Sequence, residues 1–126
     1  MKLLVVDDSS ITRKIIKAVA DVLQMEMEEA QDGIEALEIL SKKYEEIDLV
    51  LLDWNMPQMS GYEVLVEIKS NDKYKKLPVM MVTTEGQRSN IVAAVRAGAA
   101  NYLTKPFTVE ELETKIIECI GKEGEF

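Results

Sequence analysis

KLLVVDDSS, residues 2–10, contains the change of character that decides the fold. A mostly apolar run, Lys2–Val6, meets two acids, then two hydroxyl residues, and Ile11 opens a segment of helical period. A strand that ends in polar residues and hands over to a helix behind a Ser9/Ser10 cap signal is half of a β-α-β unit. The same handover recurs along the chain. Strands are predicted at Lys2–Val6, Met27–Ala30, Asp48–Leu52, Pro78–Val82 and Asn101–Leu103. The first, third and fourth are almost wholly apolar, as central strands covered on both faces must be. Met27-Glu28-Glu29-Ala30 is half polar and fits an edge.

The intervening segments predict five helices. Ile11, Ile15, Val19 and Leu23 make one apolar stripe, and Ile34, Leu37, Leu40 and Tyr44 a second. Val64, Leu65 and Ile68 make a third, and Ile91 and Val95 a fourth that stops at Gly98. The last runs through Leu112, Ile116 and Ile120, with Thr108 as cap and Gly121 as stop. Five β-α units predict an α/β fold, a doubly wound five-stranded parallel sheet. No repeat, low-complexity tract or linker interrupts the 126 residues, so residues 1–126 are expected to form one domain.

Composition removes several chemistries. The chain has no histidine, which excludes Ser-His-Asp and Cys-His catalysis and imidazole-based zinc sites. Cys119 is the single cysteine, so no intrachain disulfide can form, which suits a reducing, cytoplasmic setting. The apolar start is too short for a signal peptide or membrane span. A formal charge of −8 argues against nucleic-acid binding, which needs a basic face.

Polar residues arrive abruptly where each central strand ends: Asp7-Asp8, Asp53, Thr83-Thr84, and Lys105-Pro106 after the fifth strand. In a parallel sheet these ends share one edge, where open α/β sheets carry their sites. Taken singly, Asp7-Asp8 could begin a loop, Asp53 could merely close a strand, Thr83 could sit in a turn, and Lys105 could be a surface charge. Their joint occurrence is what predicts a site. Two carboxylates about 4 Å apart repel by about 4 kcal/mol at an effective dielectric of about 20. Three therefore call for a cation. An oxygen-only donor set suits a hard ion such as Mg²⁺, and a pocket holding Mg²⁺ and an ammonium is arranged to receive phosphate. One carboxylate would be the nucleophile.

VVDDSS (5–10), LLDWNMPQMSGYE (51–63), VTTE (82–85) and YLTKPF (102–107) together resemble the receiver domain of two-component response regulators, over essentially the whole chain. The resemblance implies a flavodoxin-like (βα)5 fold with strand order 2-1-3-4-5. It also implies phosphoryl transfer from a phosphohistidine of a sensor histidine kinase onto Asp53. Asp8 and Asp53 would ligate Mg²⁺, with Mn²⁺ as a substitute, Asp7 mainly through water, and Asn55 through its backbone carbonyl. Thr83 and Lys105 would bond the phosphoryl oxygens, and the Lys105-Pro106 peptide would be cis.

The resemblance further implies that Thr83 and Tyr102 form the switch. Thr83 would move inward with the loop reaching Arg88, and Tyr102 would turn from outside to inside. The face built from the fourth helix, fifth strand and fifth helix would then bind a downstream protein. Glu85 and Asn55 would tune the lifetime of the phosphoryl group. Such a protein is no enzyme in the ordinary sense, but a phosphoacceptor with intrinsic autophosphorylation and autodephosphorylation. Trp54 has two open readings, a packing side chain beside the site and a gate over it.

DWNMP, Tyr102 and the length look most like single-domain chemotaxis regulators of the CheY type, which bind the flagellar motor switch and are reset by a phosphatase. Gln87 and Arg88, and Thr84, depart from the enteric pattern of two lysines and an alanine. Monomer is the family's usual state. The rivals are a phosphorelay intermediate, a receiver belonging to a longer regulator and, more remotely, a flavin-binding flavodoxin-like protein. Two acids stand where flavin binding needs a hydroxyl- and glycine-rich loop.

Overall fold

The computed structural model describes residues 1–123. Five strands alternate with five helices: β1 (Lys2–Val6), α1 (Ser10–Val22), β2 (Glu26–Ala30), α2 (Gly33–Lys43), β3 (Leu49–Leu52), α3 (Gly61–Ser70), β4 (Val79–Thr83), α4 (Arg88–Arg96), β5 (Asn101–Thr104) and α5 (Val109–Glu123). A 3₁₀ turn, Tyr44–Glu46, follows α2. All strands are parallel, in the order β2-β1-β3-β4-β5. The predicted fold and strand order are both present, and β2 is an edge strand, as its half-polar sequence indicated.

Alternate residues of each strand face opposite sides of the sheet, and both sides are covered. Leu4, Val6, Val50, Leu52, Val79 and Met81 pack under α2, α3 and α4. Leu3, Val5, Leu49, Leu51, Met80 and Val82 pack under α1 and α5.

Strand limits differ from expectation by at most one residue at either end. Pro78 has no N–H to donate and stands outside β4, although its carbonyl accepts from Val50 N at 3.0 Å. Asp48 also stands outside its strand, with its carboxylate taking the Lys2 N–H at 2.8 Å. Thr83 belongs to β4, whose ladder continues through the Lys105 N–H to the Thr83 carbonyl at 2.8 Å.

Three helical stripes need correction. In α1 the buried residues are Ile16, Val19 and Ala20, whereas Ile11 is 71% exposed and Ile15 also faces solvent. A strict four-residue spacing drifts by about 40° a step on a helix of 3.6 residues per turn, so Ile11 has rotated off the sheet-facing side. In α2 the contact is made by Gly33, Ala36 and Leu40 while Ile34 is exposed, and in α4 by Ala94 while Val95 is exposed. The α3 and α5 stripes are buried as predicted.

The stops divide. Gly98, at φ +111°, follows α4 in a Schellman arrangement: Gly98 N–H bonds the Val95 carbonyl and Ala99 N–H the Ala94 carbonyl. Gly121 lies inside α5 rather than ending it. Burial of Ile116, Cys119 and Ile120 just before it outweighs the ~1 kcal/mol propensity loss of a helical glycine. Thr108 caps α5 reciprocally: its hydroxyl accepts from Glu111 N–H at 3.1 Å, and its own N–H bonds the Glu111 carboxylate at 2.8 Å.

Candidate functional site

The C-terminal edge of the sheet gathers the predicted residues. Asp7 follows β1 directly, and its N–H continues the ladder to the Ala30 carbonyl at 3.1 Å. Asp53 follows β3, tied by its N–H to the Val6 carbonyl at 2.9 Å. Their carboxylates are therefore placed by the sheet itself. Asp8 is exposed, yet Asp7, Asp8 and Asp53 each offer a carboxylate oxygen within 4.8 Å of the others. Lys105 reaches across from the end of β5, its Nζ donating to Asp7 Oδ2 at 2.7 Å and Asp53 Oδ2 at 3.3 Å. The Lys105-Pro106 peptide is cis, as expected.

Burial sets the electrostatics. Asp7 is 2% and Asp53 7% exposed. Burial pushes the Asp7 carboxyl up from its ordinary pKa; bonds from Lys105 and the Ser9 N–H pull it down, and the Asp53 charge raises it again. For Lys105, burial works against the ammonium, but the Asp7 bond and the charges of both carboxylates outweigh it, so its pKa goes up. The ammonium therefore stays charged at neutral pH. Three carboxylates facing one ammonium leave a net negative pocket of oxygen donors, which fits a hard divalent cation such as Mg²⁺.

Asn55 is exposed beside the cluster, and its N–H bonds Asp53 Oδ1 at 3.3 Å. Thr83 is fully buried at the end of β4, and its hydroxyl accepts the Glu85 N–H at 3.3 Å. Tyr102 lies on β5, its ring half-buried against the core and its hydroxyl donating to the Glu85 carbonyl. Burial raises the Tyr102 phenol pKa, with smaller contributions from the Glu85 and Asp53 charges, so it remains a donor. Thr83 and Tyr102 thus hold two adjacent points of one loop, at Glu85 N–H and Glu85 C=O. Trp54 is half-buried, packs on the core and stacks on Tyr62 at 5.3 Å between ring centroids and 27° between planes, which favours its packing role.

Two supporting residues escaped the sequence reading. Gly61 N–H bonds the Trp54 carbonyl at 2.8 Å, and a Cβ there would lie 1.9 Å from the Asp53 carbonyl oxygen. The start of α3 therefore rests directly against the backbone of Asp53. SGYE at 60–63 carried the signal: Ser60 and Glu63 form a capping box that marks the helix start. Arg13 is the other. It projects from α1 to the carbonyl of Asp7, with Nη1 donating at 2.6 Å.

No helix among the described residues is long and apolar enough to cross a membrane. Residues 3–117 match the response regulator receiver domain family. The chain is similar to a chemotaxis protein CheY homolog of Campylobacter jejuni, 43% identical over 122 residues that cover 96% of this chain and 93% of the relative. It is similar to chemotaxis protein CheY1 of Helicobacter pylori at 41% identity, covering 96% and 98%. Among solved structures, Vibrio cholerae CheY4 superposes with a TM-score of 0.86 at 33% identity, covering 94% of this chain and 97% of that one. With that fold, that edge of carboxylates and that length of match, the chain belongs to the response regulator receiver domain family.

Proposed function

We propose that this protein is a phosphoacceptor switch in which Asp53 takes a phosphoryl group from a phosphohistidine of a sensor histidine kinase. The observation that carries the reading is the Asp53 carboxylate itself. It is 7% exposed, hydrogen-bonded by Lys105 Nζ, and close to Asp7 and Asp8. One Asp53 oxygen attacks phosphorus as the P–N bond to the kinase imidazole breaks; the bonding pair stays on that nitrogen, which takes up a proton. Lys105 neutralises charge on the transferring oxygens, and the Thr83 hydroxyl donates to a phosphoryl oxygen of the acyl phosphate.

Asp8, Asp53 and the Asn55 carbonyl would hold Mg²⁺, with Asp7 acting through water and Mn²⁺ able to substitute. The ion would supply charge neutralisation to the equatorial oxygens. Attack of water on the acyl phosphate returns Asp53 to its free form. The exposed Asn55 and half-buried Glu85 flank the water's approach and set the lifetime to seconds or minutes. The protein would therefore autophosphorylate from small donors and dephosphorylate itself without being a turnover enzyme.

A phosphoryl group carries nearly two negative charges where the carboxylate carried one. A Thr83 hydroxyl drawn to it releases the Glu85 N–H, and the loop that also anchors Tyr102 re-forms. The α4-β5-α5 face is the output surface. The relatives' chemotaxis names favour a downstream partner of that pathway; the resemblance to CheY-type regulators points to the flagellar motor switch, with a phosphatase to end the signal. Labelling by acetyl phosphate tests the central claim. It should require Mg²⁺, and Asp53→Asn should abolish it; label retained on the variant at the wild-type level overturns the reading, while a phosphoryl half-life of hours on the wild type overturns only the lifetime of seconds to minutes.

A further inference from the structure

The Asp8 carboxylate has no hydrogen bond or ion pair among the described residues, so backbone alone sets its place in the acidic cluster. That backbone leaves β1 where the β1–β2 ladder runs out. Asp7 N–H still bonds Ala30, but β2 ends there and offers no further N–H to the Asp7 carbonyl. Arg13 takes over at this point. Its Nη1 donates to Asp7 O at 2.6 Å, while Nε donates to Glu29 Oε1, on β2, at 2.8 Å. The side chain is only 14% exposed, although it belongs to a helix that begins at the surface. Arg13 N–H bonds the Ser9 carbonyl and Ser9 N–H bonds Asp7 Oδ1, so residues 7–13 close into one hydrogen-bonded unit with Asp8 at its tip.

Resting on the phosphoacceptor reading above, we propose that Arg13 is the positioning residue of the cation site. It clamps the Asp7–Asp8 peptide to β2 and so holds the Asp8 carboxylate ready for the metal. Glu29 balances the guanidinium charge, so the pair presents little net field to the site. The sign of the effect distinguishes positioning from electrostatics. Removing a nearby positive charge, by Coulomb's law alone, tightens binding of a cation. Removing a clamp weakens it, because metal binding must then order a loosened turn.

The test is titration of the metal-free full chain with Mn²⁺, counting free ion by electron paramagnetic resonance, on wild type, Arg13→Gln, Arg13→Lys and Glu29→Gln. Thermal melts in chelator establish that each variant is folded at the titration temperature. Arg13→Gln is expected to raise the Mn²⁺ dissociation constant about tenfold, the loss reported for outer-shell partners of metal ligands. Arg13→Lys, which keeps one donor, should recover part of that loss, and Glu29→Gln should stay within about twofold of wild type because the bond to Asp7 survives. The acetyl phosphate reaction of Arg13→Gln should approach the wild-type rate at saturating metal.

A dissociation constant for Arg13→Gln equal to or tighter than wild type overturns the clamp, as does a Glu29→Gln loss as large as that of Arg13→Gln. If Arg13→Gln does not fold, Arg13→Lys decides alone, a two- to threefold weakening supporting the clamp and no change overturning it. A wild type that binds no Mn²⁺ refutes the phosphoacceptor reading itself, a result separate from failure of the clamp.

Discussion

Asp7→Asn is expected to stabilise the metal-free protein. Asp7 and its two acidic neighbours offer oxygens within 4.8 Å of one another. At that separation each neighbour repels it by about 3.5 kcal/mol at an effective dielectric of about 20. Lys105 Nζ, at 2.7 Å, attracts it by about 6 kcal/mol on the same basis. The repulsions exceed the attraction by about 1 kcal/mol, and burial of the carboxylate adds to that side. The raised Asp7 pKa, caused first by burial, has the same sign. Asparagine keeps the acceptor that Ser9 N–H uses at 2.8 Å and discards the charge. Solvent at the exposed Asp8 discounts that part of the repulsion while burial of Asp7 adds to the cost of its charge, which leaves a gain of up to about 1 kcal/mol, or about 3–5 °C in Tm for a chain of this size.

The pH dependence follows from the sign of the shift. A carboxyl whose pKa is raised by folding binds its proton more tightly in the native state, so native stability falls as pH rises from the unfolded pKa, about 3.9, through the folded one. The advantage of Asp7→Asn should therefore be absent near pH 3.5 and grow to its full size above the folded pKa. Urea melts in chelator from pH 3.5 to 7.5 read this directly. Added Mg²⁺ should shrink the difference, because wild type gains about 1.4 kcal/mol at tenfold the dissociation constant and the variant gains less. A variant less stable than wild type by 1 kcal/mol or more in chelator at pH 7, or a difference that does not change with pH, refutes this account of the pocket.

Two further changes test the frame around the site. Gly61→Ala places a methyl 1.9 Å from the Asp53 carbonyl oxygen, so α3 and Asp53 must part; a loss of at least about 3 kcal/mol in urea melts is expected. Gln24 stands after α1 at φ 59°, with Met25 N–H on the Ala20 carbonyl and its own N–H on Asp21, the same Schellman arrangement that Gly98 completes after α4. Gln24→Gly should therefore raise stability by up to about 1 kcal/mol, while Gly98→Ala should lower it by about 1 kcal/mol or more, since its Cβ would also meet the Lys69 stem at 3.0 Å. Equal and like-signed shifts in the two melts would refute the shared motif.

The sheet was legible because a buried parallel strand allows few residue types. LLVV at 3–6, LVLL at 49–52 and VMMV at 79–82 announce themselves, and the acids and hydroxyls after them mark the edge where the site lies. The helices were less legible for a packing reason. A helix lying on a sheet approaches most closely through small side chains, and here those are Ala20, Gly33, Ala36 and Ala94. A count of large aliphatic residues passes over them and settles on Ile11, Ile34 and Val95, which face solvent. Gln24 ends α1 without the glycine that would have marked it, and Gly121 carries the mark without ending α5.

The site separates along the same line. Asp7, Asp8, Asp53, Thr83 and Lys105 were readable because each follows or ends a strand, and parallel strands bring such positions together whatever their distance in sequence. Arg13 was not, because nothing in a sequence shows that an arginine four residues into α1 turns back to the carbonyl of Asp7 rather than outward to water. Its value lies in an acceptor, the Asp7 carbonyl, left without a strand partner once β1 and β2 end together at Val6 and Ala30. The sheet thus supplies the carboxylates, while loop and helix supply their exact aim. Mutations at the strand ends should therefore remove phosphoryl chemistry outright, whereas a change at Arg13 should shift the metal concentration at which that chemistry runs.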